Sequence, residues 1–168
     1  MKTDQIKKVA CLGAGVIGSS WATSFAIRGY PVCVCDVAPE QLVAARKRVA
    51  SNLAFLVEKR VLQKKDALRA EELVTVSISV EEAVKDVQFI QESGPENYTI
   101  KQQVLAEIEK HTATDTIIAS STSGLLITEI ARLAEHPERC IGGHPYNPPH
   151  LIPLVEITKG EKSSTEAE

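Results

Sequence analysis

Val9-Ala10-Cys11-Leu12 and Val32-Cys33-Val34-Cys35 are apolar at every position. A strand with one wet face alternates apolar and polar residues, whereas one apolar throughout is covered on both faces, as in a parallel sheet between helical layers. Between these runs Ile17, Trp21 and Phe25 recur every fourth position beside Ala22 and Ala26, which predicts a helix. Gly29 ends it and Pro31 prevents its continuation. From Pro39 to about Val61 a long helix carries Leu42, Val49, Leu53 and Leu56 on one face, and a further helical or mixed stretch runs to about Ala70. Strands follow at Leu73–Val76, Val87–Gln91, Thr116–Ala119, Cys140–Gly142 and Pro153–Ile157. The intervening helices are Glu81–Lys85, Tyr98–His111 and Ile127–Ala134.

Strands alternating with helices predict an α/β fold of the Rossmann type: a doubly wound, mainly parallel sheet with a helical pair projecting from it. Residues 1–160 form this domain, and residues 161–168 read as a polar tail or an interrupted linker. At 168 residues, 43% of them hydrophobic, the chain has the size of one domain and enough apolar side chains for a buried core. A formal net charge of -3 argues against a nucleic-acid partner. No apolar stretch has the length of a signal peptide or membrane span, so a soluble cytoplasmic protein is expected. Cys11, Cys33, Cys35 and Cys140 lie inside apolar runs and read as reduced core residues. Cys33 and Cys35 share one face of a strand, but no second Cys/His pair completes a metal site.

Gly13-x-Gly15-x-x-Gly18 joins the first strand to the first helix, and Asp36 ends the second strand. That context is the one a dinucleotide-binding turn requires. Gly13 permits the tight turn, Gly15 lets a pyrophosphate approach the backbone, and Gly18 allows close helix-to-strand packing. The N–H groups at the helix start attract anions. Asp36 accepts hydrogen bonds from both ribose hydroxyls and repels a 2′-phosphate, which selects NAD over NADP. Residues 1–160 thus read as an NAD-binding domain.

Ligands of such sheets sit beyond the carboxyl ends of the strands. The turns there are Gln91-Glu92-Ser93-Gly94-Pro95-Glu96-Asn97, Ser120 to Gly124, and the segment around His144. Removing hydride from an alcohol needs a base for the hydroxyl proton. A histidine titrates near working pH, and a carboxylate such as Glu156, twelve positions on, fixes its tautomer.

Gly13-Ala14-Gly15-Val16-Ile17-Gly18, Gln91 to Asn97 with Lys101, Ser120-Ser121-Thr122-Ser123, and His144-Pro145-Tyr146-Asn147-Pro148 with Leu154-Val155-Glu156 stand in a familiar order. Over essentially its whole length the chain resembles the NAD-binding domain of the L-3-hydroxyacyl-CoA dehydrogenase family. The resemblance implies an NAD-dependent oxidoreductase of fatty acid metabolism acting on a 3-hydroxyacyl substrate. It makes His144 the catalytic base and Glu156 its paired carboxylate. Ser123 and Asn147 would contact the reacting oxygen or the nicotinamide region. Glu96 and Lys101 would contact the nicotinamide-side ribose, while Gly13, Gly15, Val16, Ile17, Gly18 and Asp36 hold the rest of the cofactor.

The hydroxyacyl-CoA enzymes read His-Phe-Phe-Asn-Pro, whereas this chain reads His144-Pro145-Tyr146-Asn147-Pro148, which resembles relatives oxidising small 3-hydroxy acids such as carnitine and L-gulonate. Family members continue into an all-helical domain that closes the site and forms a homodimer. That domain is expected to be absent from a chain stopping at Glu168, and weak or no turnover with it, since one side of the site would be open to water. Arg46, Lys47, Arg48, Lys59, Arg60, Lys64, Lys65 and Arg69 form a basic arm. It reads as a solvated helical face or as a site for coenzyme A phosphates. Counted without gaps from Asp36, Lys59 falls where the family places a coenzyme-A-contacting lysine, with Ser123 the other substrate contact, but Asn52 stands at the position of a contacting serine. Trp21 and Phe25 read as core, and His111, His136 and His150 as surface or turn residues. The expected function is therefore an NAD-dependent 3-hydroxyacyl-CoA dehydrogenase, with a dehydrogenase of a small free 3-hydroxy acid or a non-catalytic NAD-binding module as alternatives.

Overall fold

A computed structural model describes residues 5–168. Strands β1 (Val9–Leu12), β2 (Val32–Cys35), β3 (Val74–Ser77), β4 (Phe89–Glu92), β5 (Ile117–Ser120), β6 (Cys140–Pro145) and β7 (Val155–Lys159) form one sheet in the order β3-β2-β1-β4-β5-β6-β7. Neighbours are parallel except β6 and β7, which are antiparallel with His144 directly opposite Glu156.

The helices are α1 (Val16–Ala26), α2 (Pro39–Glu58), α3 (Lys64–Glu72), α4 (Val80–Val84), α5 (Tyr98–Glu109) and α6 (Ile127–Ile130). Alternate residues of the buried strands serve opposite layers, which is why β1 and β2 carry no polar position. Ala10, Leu12, Cys33 and Cys35 pack with Ala83 and Val84 of α4, Leu105 and Ile108 of α5, and Ile127 and Ile130 of α6. Cys11, Val32 and Val34 pack with Trp21 and Ala22 of α1, Leu42, Ala45, Val49 and Leu53 of α2, and Ala67 and Ala70 of α3. All four cysteines are free and buried, and burial pushes the Cys35 and Cys140 thiols up to about 12.

Three boundaries depart from the sequence reading. The long helix stops at Glu58 rather than Val61, because Arg60 turns left-handed (φ 59) while Val61 N–H bonds back to the Leu56 carbonyl. The helix expected over Ile127–Ala134 is a single turn, with Pro137 close behind it. The last strand begins at Val155, since Leu151 and Ile152 bond back to the Pro148 carbonyl as a turn. Residues 161–168, expected as a tail, lie back on the domain. Ser164 N–H bonds the Glu138 carbonyl, Ser163 Oγ bonds the Cys140 carbonyl, and Ala167 is buried against Ile117, Ala119 and Ile141. Ala167 closes part of an apolar groove of about 320 Å³ bordered by Phe25, Phe89, Ile117, Val155 and Ile157.

Candidate active site

The turn from β1 into α1 is held by its own glycines. Gly13 has φ +97, and a Cβ there would stand 2.6 Å from the Ser93 carbonyl oxygen. A Cβ on Gly18 would stand 1.8 Å from the Gly13 carbonyl oxygen. Gly15 is different: φ is -66, and a Cβ there would meet nothing within 4 Å. Neither backbone nor packing therefore requires glycine at position 15, but a ligand lying against the chain would. No side chain caps the first turn of α1 and no acidic residue stands in it, so the N–H groups about Val16 and Ile17 remain for an anion.

Asp36 follows β2 and spans the loop. Its Oδ2 accepts from Ala14 N–H at 2.8 Å and its Oδ1 from Ala38 N–H at 3.0 Å. Behind the loop Arg48 Nη1 donates to the Ala14 carbonyl at 2.9 Å, so the basic arm's first turns brace the glycine turn.

Glu96 joins the turns after β4 and β5. Its Oε1 accepts from Thr122 Oγ1 at 2.6 Å, Ser123 N–H at 3.0 Å and Gly124 N–H at 3.3 Å. Burial pushes its pKa up, but these hydrogen bonds and the Lys101 charge outweigh burial and hold the carboxyl below its ordinary range. Lys101, expected at the ribose, is enclosed, with 1% of its side chain exposed. Its ammonium lies 2.7 Å from Glu92 Oε2, 3.4 Å from the Gly94 carbonyl and 3.7 Å from Glu96 Oε2. Lys101 thus ties Glu92 and Glu96 to the 93–96 turn. Glu92 was missed as a site residue: its carboxylate also accepts from Gly94 N–H at 2.6 Å and Ser120 Oγ at 2.6 Å, fixing both turns. The one available signal was a carboxylate closing an otherwise uncharged strand.

On the β6–β7 edge His144 Nδ1 lies 2.8 Å from Glu156 Oε2. A carboxylate can only accept here, so Nδ1 carries a proton, and in the neutral imidazole the lone pair is then on Nε2. Nε2 has no hydrogen-bond partner among the described residues, which leaves it for a substrate. Tyr146 Oη stands 3.5 Å from the other Glu156 oxygen. Gly142 and Gly143 let β6 pack tightly: a Cβ on Gly142 would meet Thr158 Oγ1 at 2.1 Å, and one on Gly143 would meet Ala119 at 3.1 Å. Ser123 and Asn147 are exposed, and neither side chain is hydrogen-bonded among the described residues.

Lys59 Nζ pairs with Glu58 at 2.8 Å above the Phe55 ring, and Asn52 Nδ2 turns inward to Thr23 Oγ1 at 3.1 Å. His111 and His136 pair with Glu107 and Glu138, as surface histidines do, and His150 lies in the turn after β6.

A parallel sheet with an open glycine turn, an acidic residue just after its second strand and a histidine–carboxylate pair across its last two strands defines the dinucleotide-binding domain of an NAD-dependent dehydrogenase. Residues 8–167 match the family model for the 3-hydroxyacyl-CoA dehydrogenase NAD binding domain, and the chain belongs to that family. It is 40% identical over 164 residues to an L-carnitine dehydrogenase of Streptomyces griseus, covering 98% of this chain and 48% of the relative. An L-carnitine dehydrogenase of a Pseudomonas species is 45% identical over 162 residues, covering 96% and 49%. The chain therefore spans about half the length of the curated relatives it matches. The crystal structure of (S)-3-hydroxybutyryl-CoA dehydrogenase from Ralstonia eutropha superposes with a TM-score of 0.92 at 31% identity, covering 97% of this chain and 57% of that one. The Escherichia coli 3-hydroxybutyryl-CoA dehydrogenase gives 0.92 at 25% identity, covering 97% and 34%.

Proposed function

We propose that this chain is the cofactor-binding half of an NAD-dependent dehydrogenase of a small free 3-hydroxy acid, of the carnitine type. The observation that carries this reading is the 40 and 45% identity to L-carnitine dehydrogenases across nearly the whole chain. The inward turn of Asn52 and the pairing of Lys59 with Glu58 favour it over a coenzyme A thioester.

Bound NAD supplies the hydride acceptor. His144 Nε2 takes the proton of the substrate's C3 hydroxyl, and Glu156 at Nδ1 stabilises the imidazolium that results. Ser123 and Asn147, with side chains not engaged elsewhere, hold the reacting oxygen or the nicotinamide amide. Asp36 binds the adenosine ribose and rejects a 2′-phosphate. Glu96, ionised and braced by Lys101, accepts from the other ribose.

Cytoplasmic residence belongs to the same reading and is supported by four buried free thiols; among the described residues no helix is long and apolar enough to cross a membrane. A second reading, a 3-hydroxyacyl-CoA dehydrogenase, is favoured by the two superposed 3-hydroxybutyryl-CoA enzymes. Turnover of carnitine, L-gulonate and acetoacetyl-CoA separates the two when measured on this chain and on any longer product of its reading frame. Turnover of the thioester alone overturns the first reading. NADH binding with no turnover of any substrate by either protein leaves an NAD-binding module.

A further inference from the structure

Ser121 stands at the centre of a polar cluster linking three strands and a helix. Its Oγ is 3.2 Å from the Trp21 indole nitrogen, 2.8 Å from Gln91 Nε2 and 2.8 Å from Ser93 Oγ. The direction of the last bond follows from the other two. An indole N–H can only donate. The Gln91 amide is oriented by its second contact, 3.2 Å to the Gly143 carbonyl, which can only accept; its nitrogen therefore faces both Gly143 and Ser121. Two donors fill the two lone pairs of Ser121, so the Ser121 proton goes to Ser93. Ser93 Oγ is thereby an acceptor inside the protein, and its own proton has no partner among the described residues.

That proton sits at the lip of the glycine turn. Ser93 N–H bonds the Leu12 carbonyl at 2.7 Å. The Ser93 carbonyl is the group nearest a Cβ placed on Gly13, and its own Cβ would be 3.8 Å from one placed on Gly18. Ser93 is also only half-buried. We infer that Ser93 is a further cofactor-binding residue, its hydroxyl donating to an oxygen of the pyrophosphate or the adjoining nicotinamide-side ribose. Ser121 is its positioning residue, since it forces the Ser93 proton outward. The inference rests on the NAD-binding reading above.

Trp21 is the single tryptophan of the chain, so its emission reports on this cluster and on ligands arriving beside it. Wild type, Ser93→Ala and Ser121→Ala are titrated with NADH, ADP-ribose and AMP. ADP-ribose keeps the pyrophosphate and second ribose, and AMP has neither. Ser93→Ala is expected to weaken NADH and ADP-ribose about tenfold, as loss of a donor to an anionic or well-placed oxygen does. AMP binding should stay within about twofold, well under the tenfold that one lost hydrogen bond gives. Ser121→Ala keeps the Ser93 hydroxyl, so it should change Trp21 emission while weakening ADP-ribose less than Ser93→Ala does. Equal ADP-ribose affinity in wild type and Ser93→Ala overturns the inference. So does an equal loss for AMP, or a loss in Ser121→Ala as large as in Ser93→Ala, which marks a structural brace. Failure of wild type to bind either NADH or ADP-ribose overturns the NAD-binding reading itself.

Discussion

Gly18 lies so close beneath Gly13 that a Cβ on it would stand 1.8 Å from the Gly13 carbonyl oxygen, whereas one on Gly15 would meet nothing within 4 Å. The three glycines of one motif therefore answer to different demands. Gly18→Ala should destabilise the chain by at least about 2 kcal/mol, because backbone must move to admit the methyl group. Gly15→Ala should leave the urea midpoint nearly unchanged and weaken ADP-ribose binding at least about tenfold, the result of a methyl group in the pyrophosphate's place. Equal effects on folding would refute the distinction.

Asp36 accepts hydrogen bonds from the Ala14 and Ala38 N–H groups. Asp36→Ser removes the charge that faces a 2′-phosphate and one acceptor for the ribose hydroxyls. The ratio of NADH to NADPH affinity, measured by fluorescence titration, should fall at least about tenfold, in line with hydrogen bonds to charged groups.

The Lys101–Glu92 pair has side chains 1% and 6% exposed. Lys101→Met leaves the Glu92 carboxylate buried without its cation, which costs about 3–5 kcal/mol. Glu92→Gln in the same chain should recover a substantial part of that loss. Urea unfolding of both single variants and the double variant measures the coupling.

Glu96 gives a pH dependence. Its folded pKa is depressed, so ionised Glu96 adds stability that is fully present above its unfolded value, near pH 4.5, and is lost as pH falls through the lower folded value. Wild type should therefore exceed Glu96→Gln in stability at pH 7, and the gap should narrow below pH 4.5. Chemical denaturation across pH 3–7 tests the sign, and a gap that widens on acidification would contradict it.

Glu156→Gln keeps the shape of the partner to His144 but removes the charge that stabilises an imidazolium. In a protein that turns over a 3-hydroxy acid, kcat should drop about a hundredfold, within the usual range for general-base catalysis. On the proposed reading the pair serves the substrate rather than the cofactor, so NADH affinity should not change.

The parallel sheet was legible because burial on both faces leaves an unmistakable mark: β1 and β2 carry no polar residue. The glycine turn and Asp36 were legible because each follows a strand, and the His144–Glu156 pair because both residues lie in or beside apolar strand-like segments. The extent of β7 was not, since Leu151 to Leu154 are apolar and exposed in a turn, where composition imitates a strand. Nor was the burial of Lys101. A lysine on a helix reads as solvated until the fold carries Glu92 beneath it. Ser121 and Trp21, a hundred positions apart, meet only through tertiary packing, so no local pattern could announce their bond.

The pairing of His144 with Glu156 across the β6–β7 ladder has a consequence for how such enzymes diversify. Strand spacing, a constant of every antiparallel sheet, sets the separation of base and carboxylate. The nine residues from Tyr146 to Leu154 that join them are free of that task. On the proposed reading, the part of this connection beyond Tyr146 and Asn147 can be rewritten, shortened or extended to suit a new substrate while the histidine–carboxylate pair stays in place. On that reading, selectivity and chemistry share one hairpin yet remain open to separate inheritance.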